Sequence, residues 1–187
     1  MKAQRVLQFL LQLPRLLLRR PQLTDAPALF ACGSHPEVAR YADWPRATAI
    51  EPGIERIRRA DERWAAGNYY WVITLPAENH ATIGAISSSV EDHSAEFGFF
   101  IHPHHWRQGY ATEASQAVVD WALSQPGIGR VWATCDVENL ASVRVLEKAG
   151  LTREDTLRRA IVRPNLSTEP RDAFLYARVR GGESNHE

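Results

Sequence analysis

The chain has 187 residues, 44% of them apolar and 24% charged, which suits one globular domain large enough to bury a sizeable core. Its 22 lysines and arginines balance 22 aspartates and glutamates, so no excess positive field exists to hold a phosphate backbone, and nucleic acid is not an expected partner. The two cysteines, Cys32 and Cys135, stand far apart and in no metal-ligand spacing, which reads as two buried free thiols in a reducing compartment.

At the N-terminus, Lys2 and Arg5 precede an apolar run over residues 6–13. Gln8 and Gln12 interrupt the run, no small-residue cleavage site follows, and Pro14, Arg15, Arg19 and Arg20 close it. It is too short to span a bilayer and lacks the form of a signal peptide. Residues 1–13 therefore read as an N-terminal extension with the character of an amphipathic helix, and the cytoplasm is the expected location, with no membrane partner. Residues 15–19 read as a short buried strand, and Thr24 with Asp25 as a helix start, where a side-chain oxygen can satisfy free N–H groups. Helical spacing recurs through Ile50, Ile54, Ile57 and Trp64, with Asp61 as the exception, and Gly67 closes that segment. The charged run over 55–63 reads as its solvated face.

Residues 69–75 are aromatic and β-branched and predict a strand. A turn over 76–80 leads to a strand over 81–90, a turn at Asp92 and His93, and a strand over 95–101. The period then changes. Ala111, Ala114, Ser115, Val118 and Ala122 share one helical face, which Pro126 and Gly127 end. A strand follows over 131–135. Asn139 caps a further helix with Ser142, Val145, Leu146 and Ala149 inward and Gly150 as its stop. Strands near 157–162 and 173–179 follow, and the tail 181–187 reads as disordered. With no repeats or linkers, this order predicts a single α/β (α+β) domain with a mixed, mostly antiparallel sheet of about seven strands and flanking helices.

The most informative stretch is residues 99–114, where a strand runs into a glycine-containing loop that opens directly into a helix. A helix start presents unpaired backbone N–H groups and the positive end of the dipole, which suits an anion. Gly109 lets the backbone approach a phosphate because no Cβ intervenes. Arg107 adds charge, and Gln108 and Thr112 add polar contacts. The dipole contributes only about 0.3–1 kcal/mol, so such a site works by summing several N–H bonds, and a pyrophosphate suits it.

Residues 106–114, Trp-Arg-Gln-Gly-Tyr-Ala-Thr-Glu-Ala, resemble the acetyl-CoA pyrophosphate loop of the GNAT superfamily of N-acetyltransferases, in the form used by its RimJ/RimL ribosomal-protein branch. Trp106 stands in the opening position, as in that branch, and Ala111 at the close, whereas Arg107 stands where the branch often has glycine. Residues 139–151 resemble the family's Asn-x-x-Ser helix ending in Glu-Lys-x-Gly-Phe, with Leu151 in place of the phenylalanine. Further matches lie at 15–19 and 171–176, so the resemblance spans residues 14–180, which defines the expected domain.

The resemblance implies acetyl-CoA as co-substrate, no metal, and a sheet whose fourth and fifth strands splay apart around the CoA arm. Cofactor contacts are then expected from Phe99, Phe100 and Ile101 of the strand, from Arg107, Gln108, Gly109, Tyr110, Ala111 and Thr112 of the loop, and from Asn139 and Ser142 of the following helix. An amine acceptor, a protein N-terminus or a small molecule, completes the set of partners for a monomer or homodimer. Glu96 is the candidate base, or else a structural carboxylate. Ser142 is the candidate acid for the departing thiolate, or else only a cofactor ligand, and Asn139 is also a plain helix cap. Many relatives use a tyrosine as that acid, but none follows Ser142 closely, and Tyr176 has no assigned place. His102, His104 and His105 lack a carboxylate or cysteine partner at metal-binding spacing. Trp44, Trp64 and Trp71 are shared between the core and the acceptor pocket. The expected activity is direct transfer of acetyl to a primary amine, and the alternative is a non-catalytic acyl-CoA-binding or sensing domain.

Overall fold

A computed structural model describes residues 10–181. The helix expected of the N-terminal extension and the tail beyond 181 fall largely outside that range. Within it, the extension ends in a strand, not a helix: Leu11–Gln12 (β1) pairs with Leu17–Arg19 (β2). The remaining strands are Asn68–Leu75 (β3), Ala81–Glu91 (β4), Ser94–Ile101 (β5), Arg130–Asp136 (β6), Thr152–Arg163 (β7) and Ser167–Val179 (β8). They form one eight-stranded sheet in the order β1-β2-β3-β4-β5-β6-β8-β7, in which β5 and β6 make the only parallel contact among the described residues. The predicted mixed, mostly antiparallel sheet is present, with β1 added and the last two strands far longer than their sequence suggested.

The helices are Ala26–Ser34 (α1), Pro36–Ala39 (α2), Glu51–Arg58 (α3), Ala60–Ala65 (α4), Tyr110–Ser124 (α5) and Leu140–Lys148 (α6). The amphipathic segment from Ile50 to Trp64 is broken at Arg59, whose φ of −88° and ψ of 8° leave the helical region. No helix among the described residues is long and apolar enough to cross a membrane.

Strand alternation sorts the core into two layers. Trp71, Ile73, Phe97 and Ile101 point to one face, where Ala114, Val118 and Ala122 of α5 and Leu146 of α6 cover them. Tyr69, Trp71 and Trp64 join Trp121 of α5 in an aromatic cluster with ring centroids 4.7–5.7 Å apart. The opposite face carries Val72 and Ala85 against Ala26 and Leu29 of α1 and Ile57 of α3, with Tyr70 and Phe100 at the margin. Asp25 precedes α1 as expected, but its side chain does not cap that helix. Its carboxylate instead accepts from Arg19 at 2.8 Å, from Thr82 at 2.6 Å and from the Gln22 N–H at 2.6 Å, pinning the helix start to β2 and β4.

Candidate active site

The β5–β6 contact is short. Ser94, Ala95 and Glu96 pair with Arg130, Val131 and Trp132, and there the register ends, although β5 continues to Ile101 and β6 to Asp136. Beyond Glu96 the two strands diverge, leaving the inner edge of β5 without a strand partner. The opposite edge of β5 is fully paired with β4. His102 donates to Ile83 at 2.8 Å, so alternation directs the backbone groups of Phe100 and Gly98 toward β4 and those of Phe99 and Ile101 into the gap. The Ile101 carbonyl already accepts from the Trp106 indole at 2.7 Å. Of the three strand residues expected to contact a cofactor, Phe99 has both backbone groups and Ile101 its N–H facing the gap, whereas the backbone groups of Phe100 are taken up by β4 and its side chain lies on the other face of the sheet.

Below the gap, a 3-10 turn at Pro103–His105 leads to the loop 106–109 and into α5. Gly109 adopts φ 81° and occupies the N-cap position, a conformation that suits glycine. Arg107 adopts φ 61°, which is strained for a residue with a Cβ and explains why a glycine is at home at this position. The first helical bond of α5 runs from Glu113 N–H to the Gly109 carbonyl, so the N–H groups of Tyr110, Ala111 and Thr112 lie ahead of it at the positive end of the helix. Arg107 and Gln108 are exposed, and Gln108 also braces the loop by donating to the His104 carbonyl at 3.2 Å.

Sequence reasoning missed the residue that holds this loop. Arg15, in the turn before β2, donates to Glu113 from its backbone N–H at 2.9 Å and from Nε at 2.7 Å, and Nη1 donates to the Gln108 carbonyl at 2.9 Å. Its guanidinium lies 4.7 Å from the centre of the Tyr110 ring. The only available signal was an arginine beside a proline in an otherwise apolar stretch.

The second motif folds as expected. Asn139 caps α6 through its side-chain oxygen, which accepts from the Ser142 N–H at 3.2 Å. Tyr176, buried on β8, donates its hydroxyl to Glu147 at 3.1 Å, and burial first and that carboxylate second push the phenol up to about 12. Burial likewise pushes the Cys135 thiol up to about 11, which keeps it protonated and a poor nucleophile. No cluster of three or more His, Cys, Asp or Glu side chains suited to a metal ion occurs among the described residues.

Glu96 and Ser142 lie on opposite faces of the sheet, Glu96 with Gly98 and Phe100 on the α1–α3 side and Ser142 on the side of α5 and α6. The Glu96 carboxyl is raised above the ordinary carboxylate range by partial desolvation and then by Asp43, against the pull of Arg163. On that same face, α1, α3 and the segment 44–50 enclose a cleft of about 330 Å³ lined by Phe30, Trp44, Arg46, Arg56, Tyr70 and Phe100. Trp44 is thus the tryptophan that shapes the cleft, while Trp64 and Trp71 are core. Between Phe100 and Glu96 the strand carries Gly98, where an added Cβ would meet only Ser87 Oγ, at 4.0 Å. Phe100 at the cleft and Glu96 stand four residues apart on β5, about 13 Å along the strand.

Residues 15–152 match the family described as Acetyltransferase (GNAT) domain. The chain is 33% identical over 177 residues to "Uncharacterized N-acetyltransferase YoaA" of Bacillus subtilis (strain 168), covering 93% of this chain and 98% of that one. Its fold superposes on a GNAT-family acetyltransferase from Bacillus anthracis with a TM-score of 0.79 at 27% identity, covering 92% and 99% of the two chains. A RimL ribosomal L7/L12 alpha-N-protein acetyltransferase in complex with coenzyme A gives a TM-score of 0.79 at 21% identity over 91% of this chain and 97% of that one, a likeness of fold alone.

Proposed function

The chain belongs to the GNAT acetyltransferase family and is an acyl-CoA-dependent acyltransferase, and from that premise we propose that it carries acetyl from acetyl-CoA to a primary amine by direct attack on the thioester. The observation that carries this reading is the parting of β5 and β6 after Glu96, on the strand that leads into the Gly109 turn at the start of α5.

When bound, acetyl-CoA supplies the activated acetyl group. The residues fit it: the N–H groups of Tyr110, Ala111 and Thr112, with Gln108 and the charge of Arg107, suit the pyrophosphate, and Phe99 suits the amide-bearing arm as an added strand would. Asn139 and Ser142 border the gap from α6. The acceptor enters from the cleft beside Trp44 and Phe100, past Gly98 toward Glu96. Glu96 takes a proton from the amine, directly or through water, so that its lone pair can attack the thioester carbon. An α-amine, with a reference pKa near 8, needs only about 1 kcal/mol to become neutral at pH 7, so a raised carboxylate suffices. Breaking the C–S bond would release a thiolate, and the proton that the acylated nitrogen sheds would reach that sulfur through the Ser142 hydroxyl, which gives up one proton and regains the other. Both a protein N-terminus and a small amine fit this chemistry.

Calorimetric titration with acetyl-CoA, CoA and ATP tests the cofactor half, and release of CoA in the presence of a primary-amine panel tests the transfer. Binding of both CoA species but not ATP, with amine-dependent release, is the expected outcome. A folded protein that binds neither CoA species would overturn the reading.

A further inference from the structure

Arg163 is a buried charge with an unpaired Nε among the described residues. It ends β7, is only 6% exposed, and no hydrogen bond or ion pair reaches its guanidinium among the described residues; the buried Nε in particular has no partner. A guanidinium withdrawn from water without a counter-ion is unfavourable unless something else meets it. Its surroundings are not those of a surface charge. The hairpin turn that follows Arg163 is held down by Asn165, whose amide donates to the carbonyls of Ala39 at 2.7 Å and Trp44 at 2.9 Å and accepts from the Arg46 N–H at 2.8 Å. Trp44 and Arg46 are walls of the cleft, so the hairpin tip is fastened to the cleft's rim and Arg163 lies at its root. From there its charge is felt at Glu96 on β5 and at Cys135 and Asp136 on β6. Asp136 is not its counter-ion, because that carboxylate is bound by Arg171 at 2.6 Å.

We propose that Arg163 recognises a carboxylate on the acceptor, so that the acceptor is an amine of the amino-acid class and not a lone amine. The proposal rests on the transferase reading above. Two opposite charges are arrayed where such a molecule would lie. Glu96 and the neighbouring Asp43 attract the ammonium and take up its proton, and Arg163 offers the planar N–H fork that a carboxylate accepts in two parallel bonds. A bare amine would leave Arg163 unmet, and a dianion would be repelled by Glu96 and Asp43. The apolar cleft at Trp44 and Phe100 takes the remainder of the molecule.

The test measures acetyl-CoA-dependent CoA release with L-phenylalanine and L-methionine against their C-terminal amides, alongside simple primary amines and a short peptide with a free N-terminus. The free acids are expected to exceed their amides in kcat/KM by on the order of 10- to 100-fold, mostly through KM. Arg163→Gln should bring the acid-to-amide ratio toward one, and Arg163→Lys, which keeps the charge but not the fork, should retain part of it. Amides used as well as acids, turnover confined to amines without a carboxylate, or a folded Arg163→Gln that keeps the wild-type ratio would each overturn the proposal and leave the transferase reading standing. No release with any amine, from protein that binds acetyl-CoA, overturns both. The wild-type comparison decides the matter even where a variant does not fold.

Discussion

Arg15 and Glu113 lie 98 positions apart in sequence, yet the Glu113 carboxylate accepts from both the backbone and the side chain of Arg15, at 2.9 and 2.7 Å. The pair ties the turn before β2 to the first turn of α5 and neutralises a carboxylate beside the expected phosphate site. Arg15→Ala should therefore weaken acetyl-CoA by roughly tenfold, through a freed loop and an unscreened negative charge. Adding Glu113→Gln should restore part of the loss. Calorimetry on the two single variants and the double variant measures the coupling, and strictly additive effects would refute it.

The loop itself can be probed at its two left-handed positions. Gly109→Glu should abolish CoA binding, because a Cβ there lies 3.3 Å from Arg15 Nη2 and a second carboxylate would face the phosphates. Arg107→Gly relieves a strained φ worth about 1 kcal/mol and should raise the melting temperature slightly. It also removes a charge, so CoA binding should become weaker and less sensitive to salt. An unchanged salt dependence would show that Arg107 does not meet the phosphates.

Because desolvation and Asp43 raise the Glu96 carboxyl, its base form is lost as pH falls through that raised value, and kcat/KM should fall there. Glu96→Gln should remove this acid limb and lower turnover by roughly 100-fold with little change in CoA affinity. Asp43→Asn should move the limb to lower pH. The stability sign is opposite. A raised carboxyl favours the protonated fold, so its contribution is full below the unfolded pKa and is lost as pH rises through the folded one. Glu96→Gln should thus melt no lower than the parent at pH 7. A fully active variant would make Glu96 a structural carboxylate only.

Asp136 shows the reverse linkage. Burial alone would raise its carboxyl, but the Arg171 hydrogen bonds and the Glu138 N–H outweigh that and hold it below the ordinary value. Its stabilisation is present above the unfolded pKa and lost as pH falls through the folded one. Asp136→Asn leaves the Arg171 guanidinium with only its more exposed partner Glu138, at 2.9 Å, and should lower the Tm at pH 7 by on the order of 10 °C, with the difference shrinking in acid. A difference that does not shrink would assign the loss to packing.

Gly84 on β4 leaves no room for a Cβ against β5. An added Cβ would collide with the Phe100 carbonyl and stand 2.9 Å from the Ile101 Cα, both backbone atoms that cannot move without shifting the edge of the gap. Gly84→Ala should lower both stability and CoA affinity, whereas Gly98→Ala, in open space, should spare both and affect only acceptor KM. Thermal melts and titrations of the two variants separate these effects. A Gly84→Ala protein as stable as the parent would mean that β5 can shift freely.

Local patterning was enough to read the strand–loop–helix at 99–114, the Asn139 cap and the mixed sheet, because each depends on neighbours within a few residues: a glycine at positive φ, a side-chain oxygen over a helix start, a period of two or 3.6. The long β7–β8 hairpin was underestimated because Arg153, Asp155, Arg158 and Arg159 interrupt the apolar alternation, and its pairing is supported across strands by contacts such as Arg158 to Asp172 at 2.5 Å. What the sequence could not carry were the relationships between distant segments. Arg15 on Glu113, Asn165 on the rim at Trp44, the parting of β5 from β6 after Glu96 and the burial of Arg163 all arise when strands far apart in the chain become neighbours. A side chain's hydrogen-bond partner, and the water it loses, are properties of that packing and not of its own stretch of chain.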